Sequence, residues 1–405
     1  MLPEGWQHLC LGDVFNFKNG LNGEKSLYGA GAKFVNVMDV FRGPRLRHSE
    51  IVGEMAVSPR QLTEFAVKQG DVLFNRTSET DDEIALSTVY LDTAPAVFGG
   101  FVIRARPSGK ALDQDFCIYS FHADSIRREM IRRGQGAIRS NIGQADLATV
   151  PILLPPLPEQ RKIAEILSTW DAAISAQERL IANARAQKKA LMQTLLPIGT
   201  HLPKKRLPGI SGEWVRRSFG SFAESEKRRI DPKSLTSPTK CVELEHIESE
   251  TGALLGFCDA REQASLKSVF DPGHILYGKL RPYLRKFHRP DFSGVCSTEI
   301  WSIKANEKIC LPDFLYYLIQ SPTFEEAVDV SSGSKMPRAD WGIVKGTTFQ
   351  LPGIKEQRAI CDLLDVAEAE LTHSQQLLTA FREEKSALMQ QLLTGKRRVK
   401  LEEAA

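Results

Sequence analysis

The side chains with the clearest chemistry in this sequence are clustered arginines and lysines, several of them next to aromatic residues. Guanidinium and ammonium groups beside aromatic rings and Gly/Ser-rich loops suit contacts with phosphates and base edges. Most such clusters are simply solvated faces, and 53 Lys+Arg against 50 Asp+Glu leave a net charge of only +3. A polyanion site would therefore be local. The clusters are Arg42, Arg45, Arg47 and His48; Arg127, Arg128, Arg132, Arg133 and Arg139; Lys227, Arg228 and Arg229; and Lys279, Arg281, Arg285, Lys286, His288 and Arg289 with Tyr283 and Phe287.

No familiar catalytic arrangement accompanies these cations. The sequence contains no phosphate-loop, HExxH or GxSxG motif, and no strand leads into GxGxxG. Asp291 followed by Glu299 and Trp301 resembles a metal-nuclease pattern, but tryptophan stands where the lysine is needed. Eight scattered histidines and seven cysteines without a CxxC pair favour neither a metal site nor a disulfide framework. We therefore expect a binding protein that is not an enzyme and holds no metal or cofactor.

An internal duplication organises the chain. Residues 154–196 align without gaps on residues 351–393, and 17 of the 43 pairs are identical. The identities include Glu-Gln-Arg near the start and Ala-Leu-Met-Gln near the end, which two unrelated amphipathic helices would not share. Upstream, the offset drifts from 197 to 203 and then 208, which indicates loops of different length in the two copies.

The duplication predicts four segments in two repeats. Each repeat has a variable block followed by a well-matched helical block. A chain of 405 residues should hold two or three domains, each long enough to bury its own core. Strand-like runs such as 33–37, 72–74, 101–104 and 299–303 and helical runs at 125–133 and 313–319 make the variable blocks α+β, without regular strand–helix alternation. The predicted boundaries are 1–150, 151–197, 198–347 and 348–405, the last ending in a short polar tail.

Each helical block carries a heptad pattern of apolar residues, the seam, longer than an ordinary domain helix needs. Both copies interrupt the seam at the same two places with polar residues, Gln177 or Ser374 and Lys188 or Lys385. We expect the two helices to pair with each other as an antiparallel coiled coil, which would give the molecule an internal pseudo-twofold repeat. Parallel pairing is the alternative orientation, but it would crowd both variable blocks at one end. The alternative is that each helix packs only on its own domain. The seam residues are Ile163, Leu167, Trp170, Ile174, Ile181, Leu191, Ile360, Leu364, Leu371, Leu378, Phe381 and Leu388.

The first residues of the chain and the length of its apolar runs indicate where in the cell the protein is expected. The first residues show no basic region followed by an apolar run, and no stretch approaches 18 uncharged apolar residues. We expect a cytoplasmic protein without a signal peptide or membrane span.

These motifs resemble the DNA-specificity subunits of type I restriction–modification systems over the whole chain. The most specific feature is a proline-rich turn followed by Glu-Gln-Arg at a helix start, occurring twice, at 155–161 and 352–358. Further motifs are Trp6 before Leu11-Gly12-Asp13, the strand Gly70–Phe74, Gly136 to Ile142, the loop Gly278–Leu284 and the segment Gly333–Arg338. The glycine–serine loop is fuller in the second copy than at 134–141, so the contacts of the first domain could differ.

The resemblance implies two target-recognition domains, each reading one half of a bipartite double-stranded DNA sequence, with two family-typical helices between them. It also implies a complex with two modification (methyltransferase) subunits and with restriction (motor-nuclease) subunits. Adenine methylation and ATP-driven cleavage would belong to those partners, which would bind S-adenosylmethionine, ATP and Mg²⁺. This chain would bind none of these cofactors.

Specific side chains can be assigned to these two tasks. An apolar stripe beside the seam, at Ile166, Leu180, Leu363 and Leu377, is expected to pack against helices of the modification subunits. The alternative for the stripe is cover by the chain's own domains, and the alternative for the whole chain is a duplicated coiled-coil scaffold that binds proteins but not DNA. The residues expected to face the duplex are Asn75, Arg76, Arg139, Ser140, Asn141, Lys279, Arg281, Arg285, Lys335 and Arg338.

Overall fold

The computed structural model describes residues 2–22, 24–136, 139–199, 201–330 and 336–401. The chain forms two units. The first is built from two separate parts of the sequence, and the second is one continuous part. Unit 1 comprises Met1–Glu178 with Gln376–Ala405, and unit 2 comprises Arg179–Gln375.

The elements of unit 1 alternate short strands with short helices before a long helix begins. The strands are β1 Gln7–Cys10, β2 Phe15–Asn19, β3 Tyr28–Val35, β4 Arg45–Leu46, β5 Glu54–Met55, β6 Val72–Asn75, β7 Thr77–Ser78, β8 Ser87–Tyr90, β9 Val97–Phe98, β10 Val102–Pro107, β11 Ser140–Asn141 and β12 Pro151–Leu154. The helices are α1 Leu11–Val14, α2 Val37–Phe41, α3 Pro59–Glu64, α4 Gln114–Ser120, α5 Asp124–Arg133, α6 Gln144–Ala148 and the long α7 Leu157–Leu195.

Unit 2 repeats this plan with different strand lengths. Its strands are β13 Val215–Ser218, β14 Ala223–Ser225, β15 Arg229–Ile230, β16 Lys240–Val242, β17 Cys258–Asp259, β18 Lys267–Phe270, β19 His274–Gly278, β20 Phe287–His288, β21 Gly294–Ser297, β22 Ile300–Ala305 and β23 Thr348–Leu351. Its helices are α8 Pro312–Leu318, α9 Pro322–Asp329, α10 Trp341–Gly346 and the long α11 Ile354–Leu392.

One sheet of each unit contains a strand that is buried on both faces. In unit 1 this sheet has the order β2-β10-β6-β8-β4, and in unit 2 it has four strands in the order β14-β22-β19-β20. Unit 2 also contains a five-stranded sheet with the order β15-β18-β21-β16-β17. Val72 and Phe74 of β6 pack into one apolar cluster while Leu73 packs into another on the opposite face. The period of two along a strand thus places side chains in two cores. Ile275 and Leu276 of β19 divide between two clusters in the same way.

A second strand pair ties the start of each variable block to the residues just before its long helix. β1 pairs antiparallel with β12, with Gln7 opposite Leu154. In unit 2, β13 pairs antiparallel with β23, with Val215 opposite Leu351. The chain therefore leaves each variable block beside the point at which it entered.

The long helices pair antiparallel within each unit. In unit 1, the Trp170 and Phe381 rings lie edge to face with centroids 5.8 Å apart. Ile163 and Leu167 share one buried cluster with Leu392. In unit 2, Leu195 and Leu364 share another. The predicted α+β fold with two long, antiparallel helices is confirmed.

One predicted strand ends earlier than expected. Residues 33–37 read as a strand, but β3 stops at Val35 and α2 begins at Val37. The Asn36 side chain accepts a hydrogen bond from the Met38 backbone nitrogen, which caps α2. This N-cap overrides the β preference of the valines.

Candidate nucleic-acid interface

Two segments that are distant in sequence meet at the end of β19 in unit 2. Leu280 and Arg338 form an antiparallel bridge. The Arg281 backbone nitrogen donates to the Pro337 carbonyl at 2.8 Å, and the Ala339 nitrogen donates to the Lys279 carbonyl at 2.9 Å. The structure therefore brings together the predicted residues Lys279, Arg281 and Arg338. We name residues 279–286 with 336–339 the unit 2 loop pair.

The first loop of this pair has an unusual backbone. Arg281 and Arg285 have positive φ angles of 53° and 46° and flank the short 3-10 turn Pro282–Leu284. Non-glycine residues in this region carry strain that surrounding contacts must hold, and such residues concentrate at functional sites. Between the two arginines, Tyr283 is 55% exposed. The loop thus presents an aromatic ring flanked by cations.

Two arginines of this loop pair are held by carboxylates. Arg285 forms an ion pair with Glu325 at 2.9 Å. Burial raises the pKa of Glu325, and the nearby Arg285 partly offsets that effect. Arg338 donates from Nε to Glu299 at 3.0 Å and from Nη2 to the other carboxylate oxygen at 3.4 Å. This hydrogen bonding raises the pKa of the Arg338 guanidinium.

Unit 1 contains the corresponding arrangement at the end of β6. The Ile142 nitrogen donates to the Arg76 carbonyl at 3.0 Å, and the Arg76 nitrogen donates to the Phe101 carbonyl at 2.8 Å. Strands β7 and β11 pair directly, and the Thr77 hydroxyl donates to the Asn141 side-chain oxygen at 2.7 Å. We name residues 76–78 with 139–142 the unit 1 loop pair.

The two loop pairs are equivalent positions of the duplication. Ile142 in unit 1 and Ala339 in unit 2 are 197 residues apart, and each donates to the carbonyl of the cation that follows the central strand, Arg76 or Lys279. The next bond is also repeated, because the Lys279 nitrogen donates to the Glu299 carbonyl at 2.9 Å. The contact loops therefore share one backbone plan and differ in their side chains.

Some of the predicted contact residues are not accessible in this structure. Asn75 is fully buried at the end of β6, where its side-chain nitrogen lies 3.4 Å from the Thr77 carbonyl. Ser140 is 5% exposed and donates to Asp81. Arg139 is exposed and pairs with Glu79 at 3.2 Å. Asn141 and Arg281 are exposed as well. The prediction for Lys335 lies outside the described residues.

Sequence reasoning missed two side chains next to the loop pairs. Phe101 in unit 1 is 64% exposed, and its carbonyl holds Arg76. Glu299 occupies the corresponding place in unit 2 and holds Arg338 through its side chain. The duplication could have identified these two residues as equivalent, because they are 198 positions apart and the repeat offset is 197 at the matched helices.

Several cations of the sequence clusters serve the fold instead. Arg45 donates to Asp171 at 3.0 Å. Arg127 donates to the carbonyls of Asp82 and Ile84. Arg289 pairs with both Asp313 and Asp365. Composition alone therefore overestimates how many arginines are available to a polyanion.

The duplicated Glu-Gln motif joins each variable block to its helix. Gln160 accepts from the Asp113 nitrogen at 2.9 Å and donates to the Ala111 and Pro155 carbonyls. Gln357 repeats this pattern with Leu311, Ile309 and Pro352. A buried amide that satisfies three backbone groups explains why the motif appears in both copies.

The adjacent glutamate makes a second link in each unit. Glu159 accepts from the Trp6 indole at 2.7 Å and also pairs with Arg398 in the C-terminal tail. Glu356 accepts from the Trp214 indole at 3.1 Å and pairs with Arg206 at 2.6 Å. The tail predicted to be simply polar therefore returns to the start of α7.

The polar seam lysines form equivalent ion pairs. Lys385 pairs with Asp171 in unit 1, and Lys188 pairs with Glu368 in unit 2. Asp171 and Glu368 are themselves 197 residues apart. Burial opposes ionisation of Asp171, but hydrogen bonds from Lys385 and Tyr119 outweigh it and lower the pKa of this carboxyl.

The four residues predicted to bind partner helices have different environments. Ile166 packs against the core of unit 1, and Leu377 is half-buried. Leu180 and Leu363 are 57% and 42% exposed. Leu180 and Leu363 therefore offer apolar surface, whereas Ile166 is partly covered by its own unit.

Two further kinds of site are absent from the described residues. Within these ranges, no group of three or more His, Cys, Asp or Glu side chains is arranged to hold a metal ion. Likewise, no described helix is both long and apolar enough to span a membrane.

Comparison with known proteins agrees with this architecture. Residues 3–184 match the type I restriction modification DNA specificity domain. The EcoDI specificity subunit of Escherichia coli is 25% identical over 262 residues, which is 58% of this chain and 58% of that relative. The putative MjaX specificity subunit of Methanocaldococcus jannaschii is 22% identical over 98% of this chain and 95% of that relative.

Solved structures share the fold over nearly the full length. A chain of a type I restriction–modification system has a TM-score of 0.61 at 15% identity, covering 98% of this chain and 100% of that chain. The specificity subunit from M. genitalium has a TM-score of 0.54 at 15% identity, covering 96% of each chain. The chain is thus similar in sequence to type I restriction–modification specificity subunits and shares the fold of the solved structures.

Proposed function

We propose that this chain is the DNA sequence-specificity subunit of a type I restriction–modification complex. Units 1 and 2 would each read one half of a bipartite double-stranded target. The observation that carries the proposal is the duplicated loop pair, which presents cations beside exposed aromatic and polar side chains at equivalent places in both units. Side chains of this kind make the phosphate and base-edge contacts of DNA-binding proteins.

The chemistry would be performed by partners. Modification subunits would methylate adenine with S-adenosylmethionine, and restriction subunits would use ATP and Mg²⁺ to cleave unmodified DNA in the cytoplasm. The relatives are named specificity subunits, and this chain would have the same non-catalytic role. Exposed Leu180 and Leu363 are the best-placed contacts for helices of the modification subunits.

Selection from a random duplex library tests the proposal. The full chain, co-expressed with its modification subunits, should enrich a bipartite sequence with a gap of fixed length. Binding should also weaken steeply as salt rises. A duplicated scaffold that binds only proteins would enrich no sequence and would show no such salt dependence.

A further inference from the structure

The structure assigns Arg338, positioned by Glu299, to read a guanine in the half-site bound by unit 2. This inference rests on the proposed function and goes further, because it names one base and the two side chains that select it. Arg338 is exposed at the edge of the loop pair, and its backbone is held against the first loop by the Leu280–Arg338 bridge.

The hydrogen-bond geometry leaves one end of the guanidinium available. A guanidinium carries five N–H donors in a rigid fork. Glu299 takes one donor from Nε and one from Nη2, at 3.0 and 3.4 Å. The two Nη1 donors and the outer Nη2 donor remain on the far end. An arginine that presents this end forms a bidentate contact with O6 and N7 of guanine in the major groove.

The charge of the pair favours a base over a phosphate. Glu299 compensates the Arg338 charge at close range, and a carboxylate beside the contact point repels a phosphate. The major-groove edge of guanine carries no net charge, and its O6 and N7 atoms accept hydrogen bonds from two aligned donors. By contrast, Lys279 and Arg281 have no ion pair among the described residues, so they suit the backbone phosphates.

The equivalent position in unit 1 carries a different chemistry on the same backbone plan. Asn141 lies 197 residues before Arg338. Its side-chain oxygen accepts from Thr77, and its nitrogen donates to the Arg139 carbonyl. The residue corresponding to Glu299 is the exposed Phe101, which offers no carboxylate. Unit 1 has an exposed ion pair in its own loop pair, Arg139 with Glu79, but at different positions and through one contact at 3.2 Å. The Arg338–Glu299 pair therefore has no counterpart at the equivalent positions of unit 1, and the two half-sites should differ.

The test measures base preference position by position. Once library selection has given the wild-type sequence, duplexes with each base pair at every position of the unit 2 half-site are compared for binding to the complex. For Arg338→Ala we expect discrimination at one G·C position to fall about 10- to 100-fold, with other positions unchanged. Arg338→Lys should not restore it, because an ammonium lacks the fork.

Further variants separate positioning from simple charge. Glu299→Gln should relax the same position by a smaller factor, because the amide holds the guanidinium more weakly. Arg281→Ala is the comparison variant, and it should weaken all duplexes equally.

Three results would overturn the inference. The first is a wild-type unit 2 half-site without a discriminated G·C pair. The second is an Arg338→Ala complex whose affinity is unchanged, or reduced or lost equally for every duplex. The third is a Glu299→Gln complex with wild-type discrimination, which would remove the positioning role. A wild-type complex that prefers no sequence would instead contradict the proposed function.

Discussion

At the residue scale, the cations of the unit 2 loop pair fall into two groups. Arg285 and Arg338 are neutralised by Glu325 and Glu299, whereas Lys279 and Arg281 have no ion pair within the part of the chain that the structure describes. Each free cation that contacts a phosphate releases a counterion on binding, so its contribution is sensitive to salt and insensitive to sequence.

This difference gives a prediction for Lys279 and Arg281. Changing either to alanine should weaken binding of all duplexes alike and flatten the slope of log affinity against log salt by about one unit. The measurement is a salt titration of DNA affinity for the assembled complex. Lys308→Ala is a matched control, because Lys308 is exposed and lies beyond the opposite end of β22. An unchanged slope for both variants would show that these cations do not face the duplex.

Only part of this residue-level arrangement could be predicted from the sequence. Arginines and a tyrosine in one short run were sufficient to single out residues 279–285. Asn75 looked like the first polar residue after a strand, yet β6 continues through it in a sheet buried on both faces. Glu299 and Arg338 meet only through tertiary pairing of two loops, for which a local pattern carries no signal.

At the element scale, the duplicated motif at each helix start is structural. Gln160 and Gln357 each satisfy three backbone groups of the preceding loops. Sequence identity between the copies located this motif. The heptad pattern predicted correctly that the two long helices pair, and the pseudo-twofold symmetry of the repeats predicted their antiparallel orientation. The sequence could not show what the glutamines bind. Their partners are backbone atoms, which every residue type carries.

We therefore predict equal costs for the same change in both units. Gln160→Ala and Gln357→Ala should each lower the free energy of unfolding of their unit by about 1–3 kcal/mol, since buried backbone groups lose their partners. Thermal unfolding measures the loss, and faster hydrogen exchange at the Asp113 or Leu311 amide locates it. The exposed Gln193→Ala on α7 is the control. Unchanged exchange at these amides would contradict the assignment.

The seam lysines give a second prediction at this scale. Lys188→Met leaves Glu368, a side chain 21% exposed, without its cation, and should destabilise the chain by about 1–3 kcal/mol. Adding Glu368→Leu should recover most of this loss, because a buried ion pair can be replaced by apolar side chains at little cost. Denaturant unfolding of the single and double variants is the measurement. A double variant less stable than Lys188→Met would contradict this expectation. It would show that the attraction between Lys188 and Glu368 exceeds the free-energy cost of removing both charges from water.

At the scale of the whole molecule, the chain is one structural plan used twice with different reading loops. Each unit has a strand pair that closes the variable block, a glutamine and a glutamate that join it to a long helix, and a loop pair at the end of the central strand. The joining residues match between copies, whereas the loop residues do not. This division predicts that each variable block, with its reading loops, can be exchanged independently of the rest.

The most direct measurement of this claim is a map of methylated adenines in cells that carry the complex, before and after residues 198–347 are replaced by the corresponding block of another specificity subunit. The account predicts a bipartite methylated sequence in which one half changes, while the other half and the gap between them stay the same. Loss of the gene should remove the methylation altogether. A methylated sequence that is unaffected by the exchange, or in which both halves change, would contradict the account.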